Sequence, residues 1–386
     1  MSLLTRILGN KKGIGLSKLI PQIQPWIDST ELKYLKKVVD STWVTEHALT
    51  EEFENRIKDL TGAKHAIAVC NGTAALFCCL KALGVGPGDE VIVPNLTFIA
   101  TSNAVIMAGA HPVLCDVGKD FSLDLTKAEE CLSEKTKAIM PVHLYGMASE
   151  MDSILDFAKQ HKLKVIEDAA QGVAVHYKGR HVGTFGELGI LSFYGNKTMT
   201  CGEGGIILTD NDDLAEKCYR LKNHGRSSKG VFDHEDIGFN FAFTEMQAAV
   251  GLAQLDKLPR IVERKQEIFD RYSSGLSELK GKLSPVKPET DCVPVYWFTS
   301  FLTQQSETRR ELEGYLKEKG IQTRAFFTPL DQQPCYRDKK WALMQRCSMD
   351  RSHSLHECGI SLPSSYGLTD IEQDLIIEAV KEFLER

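Results

Sequence analysis

No apolar run in this sequence is long enough to cross a bilayer. Basic charge is not in surplus either. The 46 lysines and arginines face 52 aspartates and glutamates, and the net charge of −6 argues against a nucleic-acid partner. The eleven cysteines are odd in number and show no C-x-x-C spacing. Cys78 and Cys79 are neighbours in a helical pattern and pair poorly with each other. This excludes a disulfide frame and gives no metal site. It suits small apolar thiols in a reducing, cytoplasmic compartment. The first segment, residues 1–20, carries Arg6, Lys11, Lys12 and Lys18 without an acid. Its apolar part is too short for a secretory signal and lacks a clear cleavage site, so it reads as a tail or a partner-packing helix. Internal repeats and low-complexity tracts are absent.

What is present is an ordinary globular composition, 42% hydrophobic and 25% charged over 386 residues. That length predicts one large domain and a smaller one. Short branched runs at 65–70, 90–94, 112–115, 136–142 and 164–168 read as strands. They alternate with helical patterns at 74–83, 100–108 and 150–161. The expectation is an α/β large domain, residues 21–255, with a mainly parallel sheet flanked by helices. An N-terminal helix capped by Ser29 or Thr30 precedes it. After Gly238 the pattern changes. A helix is expected at 244–255, and beyond it helices at 262–279, 308–319 and 370–384 and a strand at 296–302 predict a smaller C-terminal α/β domain, residues 256–386.

The stretch 192–205 organises the rest. Lys197 lies between two apolar runs, 188–191 and 206–208, and an ammonium is rarely buried there without a partner. Either it is a loop lysine beside a glycine-rich hairpin, or a neutral amine held ready to attack a carbonyl. Asp168 ends an apolar strand, where a carboxylate needs a cation, a metal or a protonated heterocycle, unless it caps a helix or faces water. Asn71-Gly72-Thr73 stands between a strand and a helix, which suits an anion such as a phosphate. Ser192 can donate to the same group, and Phe98 lies just past a strand end, where a flat ring can stack on it. Together a lysine, a strand-end aspartate, a phosphate cradle and an aromatic ring fit pyridoxal phosphate. The run Gly202-Glu203-Gly204-Gly205 lacks the Gly-x-Gly-x-x-Gly order of a dinucleotide loop.

Several motifs carry a family resemblance. They include Asn71-Gly72-Thr73-Ala74-Ala75-Leu76, His143-Leu144-Tyr145-Gly146, Glu167-Asp168-Ala169-Ala170-Gln171, the stretch 192–205, Gly238-Phe239-Asn240 and Thr323-Arg324. From about Pro21 to the C-terminus the chain resembles the DegT-type nucleotide-sugar aminotransferases, of the type I aspartate-aminotransferase fold, and within them the perosamine synthases. The resemblance implies that Lys197 carries the cofactor and then moves a proton, and that Asp168 pairs with the pyridine nitrogen. Gln171 would sit by the phenolic oxygen and Phe98 over the ring face. Gly72, Thr73 and Ser192 would hold the phosphate. Asn240 would reach that phosphate in the neighbouring subunit, making the active unit a homodimer. Arg324 is either a substrate anion contact or a salt-bridged arginine, and His143 and His224 support the site.

The implied reaction moves an amino group from glutamate to a nucleotide-linked keto-sugar, a 4-keto-6-deoxy sugar first, in polysaccharide biosynthesis. The alternatives are a 3-keto-sugar aminotransferase of the same fold and a non-catalytic pyridoxal-phosphate-binding regulator. Ala242 and Asp331 stand where the family commonly has a basic residue and a histidine. The loop 44–47 lacks the usual glycine.

Overall fold

The computed structural model describes residues 19–227, 231–288, 291–337, 341 and 343–386; the basic segment that holds Arg6, Lys11, Lys12 and Lys18 lies outside them. In chain order the strands are β1 (His65–Val69), β2 (Glu90–Pro94), β3 (His111–Cys115), β4 (Thr136–Ile139), β5 (Lys164–Asp168), β6 (His176–Tyr177), β7 (Arg180–His181), β8 (Leu188–Ser192) and β9 (Gly205–Thr209). They continue with β10 (Leu283–Pro285), β11 (Cys292–Val293), β12 (Thr299–Thr303), β13 (Arg324–Ala325), β14 (Met344–Gln345) and β15 (Gly359–Leu362).

Eight of these form one sheet in the order β1-β9-β8-β5-β4-β2-β3-β14. Only β9 runs against its neighbours, pairing antiparallel with both β1 and β8. The other seven are therefore parallel, as the alternation of strands and helices predicts. β2, β8 and β9 are buried at every residue, because helices cover both faces of the sheet. The helix Gly72–Ala82 is itself interior, and Cys78 and Cys79 pack there as small apolar groups.

A second, antiparallel sheet has the order β10-β12-β15-β13. Its core gathers Phe301, Leu312, Leu316, Ile360, Leu362, Ile376 and Val380. Ile20 joins it through a parallel bridge to Ile321. β14 leaves this unit and returns to the large sheet beside β3. No helix among the described residues is long and apolar enough to cross a membrane.

Three elements differ from expectation. The first helix, Ser29–Ser41, is capped by Asp28, whose side chain accepts from Thr30 N while Glu31 bonds back to Asp28 N. The two helices expected at 244–255 and 262–279 are one helix, Glu245–Gly275, with Pro259 inside it. Proline removes a hydrogen bond and strains a helix by about 3 kcal/mol. Here Leu252, Leu255, Leu258 and Ile261 stay buried on both sides of it, so packing holds the two halves in line. The third difference is β12, which starts at Thr299 and leaves Trp297 outside the strand. Trp297 is instead bonded through its side chain to Asn196 O and through its carbonyl to Lys265 Nζ. Between the two sheets a third apolar cluster unites Tyr145, Met147, Trp297, Phe298 and Phe326.

Candidate active site

Because β1, β8, β5 and β2 are parallel, their carboxyl ends share one edge of the sheet, where ligands of such folds bind. A cavity of about 650 Å³ opens there. Gly72, Thr73, Phe98, Asp168, Gln171, Ser192, Lys197 and Arg324 all line it. Asn240 does not: it is exposed, and its backbone pairs with Asn223.

One end of the cavity is a helix N-terminus. Asn71 is extended and its side-chain oxygen accepts from Ala74 N at 2.9 Å, capping the helix Gly72–Ala82. The N–H groups of Gly72 and Thr73 then have no intrahelical acceptor, and they lie at the positive end of the helix dipole. A side chain at residue 72 would crowd Ser192. Its Cβ would lie 3.0 Å from Ser192 Cβ and 3.2 Å from Ser192 Oγ. Glycine thus lets the Ser192 hydroxyl close onto the helix N-terminus. Neither that hydroxyl nor Thr73 Oγ1 has a hydrogen-bond partner among the described residues.

Asp168 is buried at the end of β5. Its Oδ2 accepts from Thr101 Oγ1 at 2.7 Å, and Thr97 Oγ1 stands 3.0 Å behind Thr101. Its Oδ1 accepts from Ala170 N at 3.1 Å. No helix starts at this turn, so Asp168 is neither a helix cap nor a surface acid. Among the described residues no cation is within ion-pair range of it. A buried carboxylate without a cation is costly, and the open side of this one faces the cavity.

Gln171 is also buried. Its oxygen accepts from Tyr145 N at 2.7 Å, which orients the amide and leaves its nitrogen without a partner among the described residues. Tyr145 adopts a left-handed φ of 56°, and its hydroxyl accepts from Phe327 N at 2.9 Å. Gly146 is the neighbouring requirement, since a Cβ there would meet Val295 O at 1.8 Å.

The two histidines are structural. His143 is fully buried; its Nδ1 accepts from Ser149 N, so its Nε2–H donates to Glu167 at 2.9 Å. Burial pushes the Glu167 carboxyl up. His143 and the amides of Gly186 and Gly183 outweigh that and hold it below the usual range. This pair braces the turn after β7 and does not face the cavity. His224 has a left-handed φ of 59°, and its carbonyl bonds His234.

Lys197 sits in the turn after β8, where its N–H donates to Tyr194 O at 2.9 Å. The side chain is half-buried. Burial pushes its ammonium down to about 8; Asp168 opposes that shift and Arg324 adds to it. The Nζ stands 4.2 Å from the centre of the Trp297 ring, a contact worth about 0.5–2 kcal/mol to the charged form. Arg324 has no carboxylate partner among the described residues; its guanidinium lies 5.2 Å from the centre of the Phe298 ring. At the mouth Phe98 is 52% exposed, with its ring 5.7 Å from that of Phe327.

Sequence reasoning missed Thr97, Thr101, Tyr145, Trp297 and Phe327. Thr97 and Thr101 had a signal, a pair four apart just past a strand end. Trp297 had none, being far along the chain from Lys197. Of the three departures from the family pattern, Ala242, Asp331 and the loop 44–47, none lines the cavity. Asp331 bonds His353 at 2.7 Å and Asn95 at 2.9 Å. Ala242 pairs with Val69, and the buried Phe243 beside it stacks on Phe53.

Comparison with known proteins agrees with the motif resemblance. The DegT/DnrJ/EryC1/StrS aminotransferase family model matches residues 25–381. A GDP-perosamine synthase of Escherichia coli O157:H7 is 38% identical over 372 residues, covering 95% of this chain and 99% of that protein. One from Vibrio cholerae is 36% identical over 369 residues, again 95% and 99% of the two chains. The solved structure of DesV from S. venezuelae superimposes with a TM-score of 0.88 at 32% identity, covering 96% of this chain and all of that one. With a match of this extent over a cavity of this make-up, the chain belongs to the DegT/DnrJ/EryC1/StrS aminotransferase family.

Proposed function

We propose that this enzyme moves an amino group from glutamate to a nucleotide-linked keto-sugar, with pyridoxal phosphate as its cofactor. The observation that carries this reading is the buried Asp168 without a cation, in one cavity with the depressed Lys197 amine and a helix N-terminus. Pyridoxal phosphate fits this donor set. The free N–H groups of Gly72 and Thr73 and the hydroxyl of Ser192 match its phosphate. Asp168 matches a protonated ring nitrogen, the free amide nitrogen of Gln171 a phenolic oxygen, Lys197 an aldehyde and Phe98 a ring face. When bound, the cofactor supplies an electron sink that makes the Cα–H of an amino donor acidic.

The chain's own residues do the rest. Asp168 holds a proton on the ring nitrogen, which keeps the sink effective. Lys197 Nζ, near 8, is poised to take the donor's α-proton and to return it. Arg324, an unpaired cation at the cavity wall, suits a carboxylate or phosphate of the substrates.

The nearly full-length likeness to GDP-perosamine synthases supports a 4-keto-6-deoxy sugar carried on GDP as the acceptor. The test is to incubate the enzyme with glutamate and a panel of nucleotide-linked 3-keto and 4-keto sugars and to weigh the products. Amination of the GDP-linked 4-keto sugar is expected. Amination of 3-keto sugars alone would favour the 3-keto alternative, and no amination of any member would favour a regulator. The eleven free thiols support work in a reducing compartment, the cytoplasm.

The enzyme works as a homodimer with shared sites. Phe98, Met107 and Tyr194 line the cavity and yet are 52%, 52% and 49% exposed, a mouth suited to cover by a second copy. Asn240, off its own cavity, then serves the partner's phosphate end. Asn240→Ala should weaken cofactor retention without loss of fold. Mixed with Lys197→Ala chains, it should restore activity, because one site of each mixed dimer carries both defects and the other neither. Mixed dimers that form and stay inactive would refute the shared site.

A further inference from the structure

A lysine side chain has many rotamers, so a reacting amine has to be held in place at an entropic cost. Among the described residues Lys197 Nζ has no hydrogen-bond acceptor; its close neighbour is the face of the Trp297 indole, 4.2 Å away. Trp297 is held at three points, two on its ring and one on its main chain. The ring Nε1–H donates to Asn196 O, the residue just before the lysine, at 2.6 Å. The ring stacks on Phe298, with centroids 3.8 Å apart and planes 20° from parallel. The main-chain carbonyl accepts from Lys265 Nζ at 2.9 Å.

Lys265 comes from the long helix Glu245–Gly275 and is buried. Its second bond goes to Ser364 O at 2.6 Å, and no carboxylate is within ion-pair range among the described residues. Two carbonyl acceptors match the two N–H bonds of a neutral amine, and burial holds this amine down to about 7. Trp297 is thus tied to the Lys197 turn by its side chain and to the long helix by its main chain.

We propose that Trp297 is a positioning residue that seats the Lys197 amine for its condensation with the cofactor aldehyde; this rests on the reading of Lys197 as the cofactor-carrying lysine. A hydrogen-bond acceptor in the same place would hold the ammonium proton and retard attack. The indole face localises the ammonium by its quadrupole and leaves the lone pair of the neutral amine free. Because the N–H bond grips Asn196, it sets the ring in register with the lysine. In the condensation a C=N bond to Nζ replaces the aldehyde C=O bond. The oxygen departs as water with both amine hydrogens.

The test separates capture from condensation. Cofactor-free enzyme is mixed in stopped flow with pyridoxal phosphate, and separately with pyridoxamine phosphate, which has the same ring and phosphate but no aldehyde. Trp297→Leu should keep pyridoxamine phosphate affinity within about twofold and slow the covalent step about tenfold or more. Trp297→Phe keeps a ring face and loses only the bond to Asn196. It serves if the leucine variant fails to fold, and should show the same split with a smaller slowing. Lys265→Met, which leaves the ring untouched, should slow the covalent step in the same way. Lys197→Ala should abolish the covalent step altogether. A covalent step that persists in Lys197→Ala refutes the lysine reading and the seat with it. Loss in Lys197→Ala beside wild-type covalent rates in the Trp297 variants refutes the seat alone. Parallel losses of affinity and covalent rate reduce Trp297 to a packing residue and also overturn the proposal.

Discussion

Lys197→Ala should abolish transamination, by roughly three orders of magnitude or more, because it removes the residue proposed as both covalent anchor and proton carrier. The fold should survive. The side chain projects into the cavity and its Nζ makes no hydrogen bond among the described residues, so alanine leaves no buried group unpaired. A single-turnover assay with glutamate, read beside the unfolding midpoint, checks both halves. Substantial turnover by a folded variant would end the assignment. The wild-type amine gives a second, independent reading. With its pKa lowered from 10.5 to about 8, it should be half neutral near pH 8 in cofactor-free enzyme. An amine-directed reagent should then label Lys197 with a midpoint near that pH, well below the midpoint of a solvent-exposed lysine.

Asp168→Asn should slow the glutamate half-reaction by orders of magnitude and leave the cofactor bound. Its local bonds tolerate the change. An asparagine oxygen still accepts from Ala170 N, and the Thr101 hydroxyl can turn to accept where it now donates. The proposed phosphate end, Gly72, Thr73 and Ser192, is untouched. What goes is the negative charge proposed to hold a proton on the ring nitrogen, and each pKa unit of that preference is worth about 1.4 kcal/mol. Asp168→Glu should fall between, since the charge stays and its position shifts. If Asp168 served only to brace the turn at Ala170, asparagine would do so equally well. The decisive measurement is the single-turnover rate at matched cofactor occupancy, and a near wild-type rate for the asparagine variant would leave only the bracing role.

The pair at the heart of these experiments was legible early, for a local reason. Asp168 and Lys197 each follow a short run of branched residues that reads as a buried strand, and a charged group at the end of such a run stands out. The phosphate cradle was legible for the same reason, as strand, Asn-Gly-Thr and helix lie within a few residues of one another. The family motifs gathered these local signals into one expectation, which the match over residues 25–381 supports. Less legible were features set by distant contacts. Periodicity predicted a strand from residue 296, but bonds to Asn196 and Lys265 hold Trp297 outside β12. Periodicity predicted separate helices at 244–255 and 262–279, yet buried residues on both sides of Pro259 keep one long helix continuous. Asp331 stands where the family commonly has a histidine, and its bonds to Asn95 and His353 are set by the fold alone.

By itself the sequence determined the alternation of strands and helices, and with it a mostly parallel sheet, because hydrophobic period and turn chemistry are local properties of the chain. It also determined which residues end the strands, and so which side chains a parallel sheet delivers to one edge. Only the tertiary structure decided what those side chains meet there. Asp168 leans on Thr101, Gln171 is turned by Tyr145, and Lys197 rests on Trp297. Each partner comes from another strand end, helix or loop. No local pattern specifies such a meeting, because it exists only once the two apolar cores and the seam between them have closed.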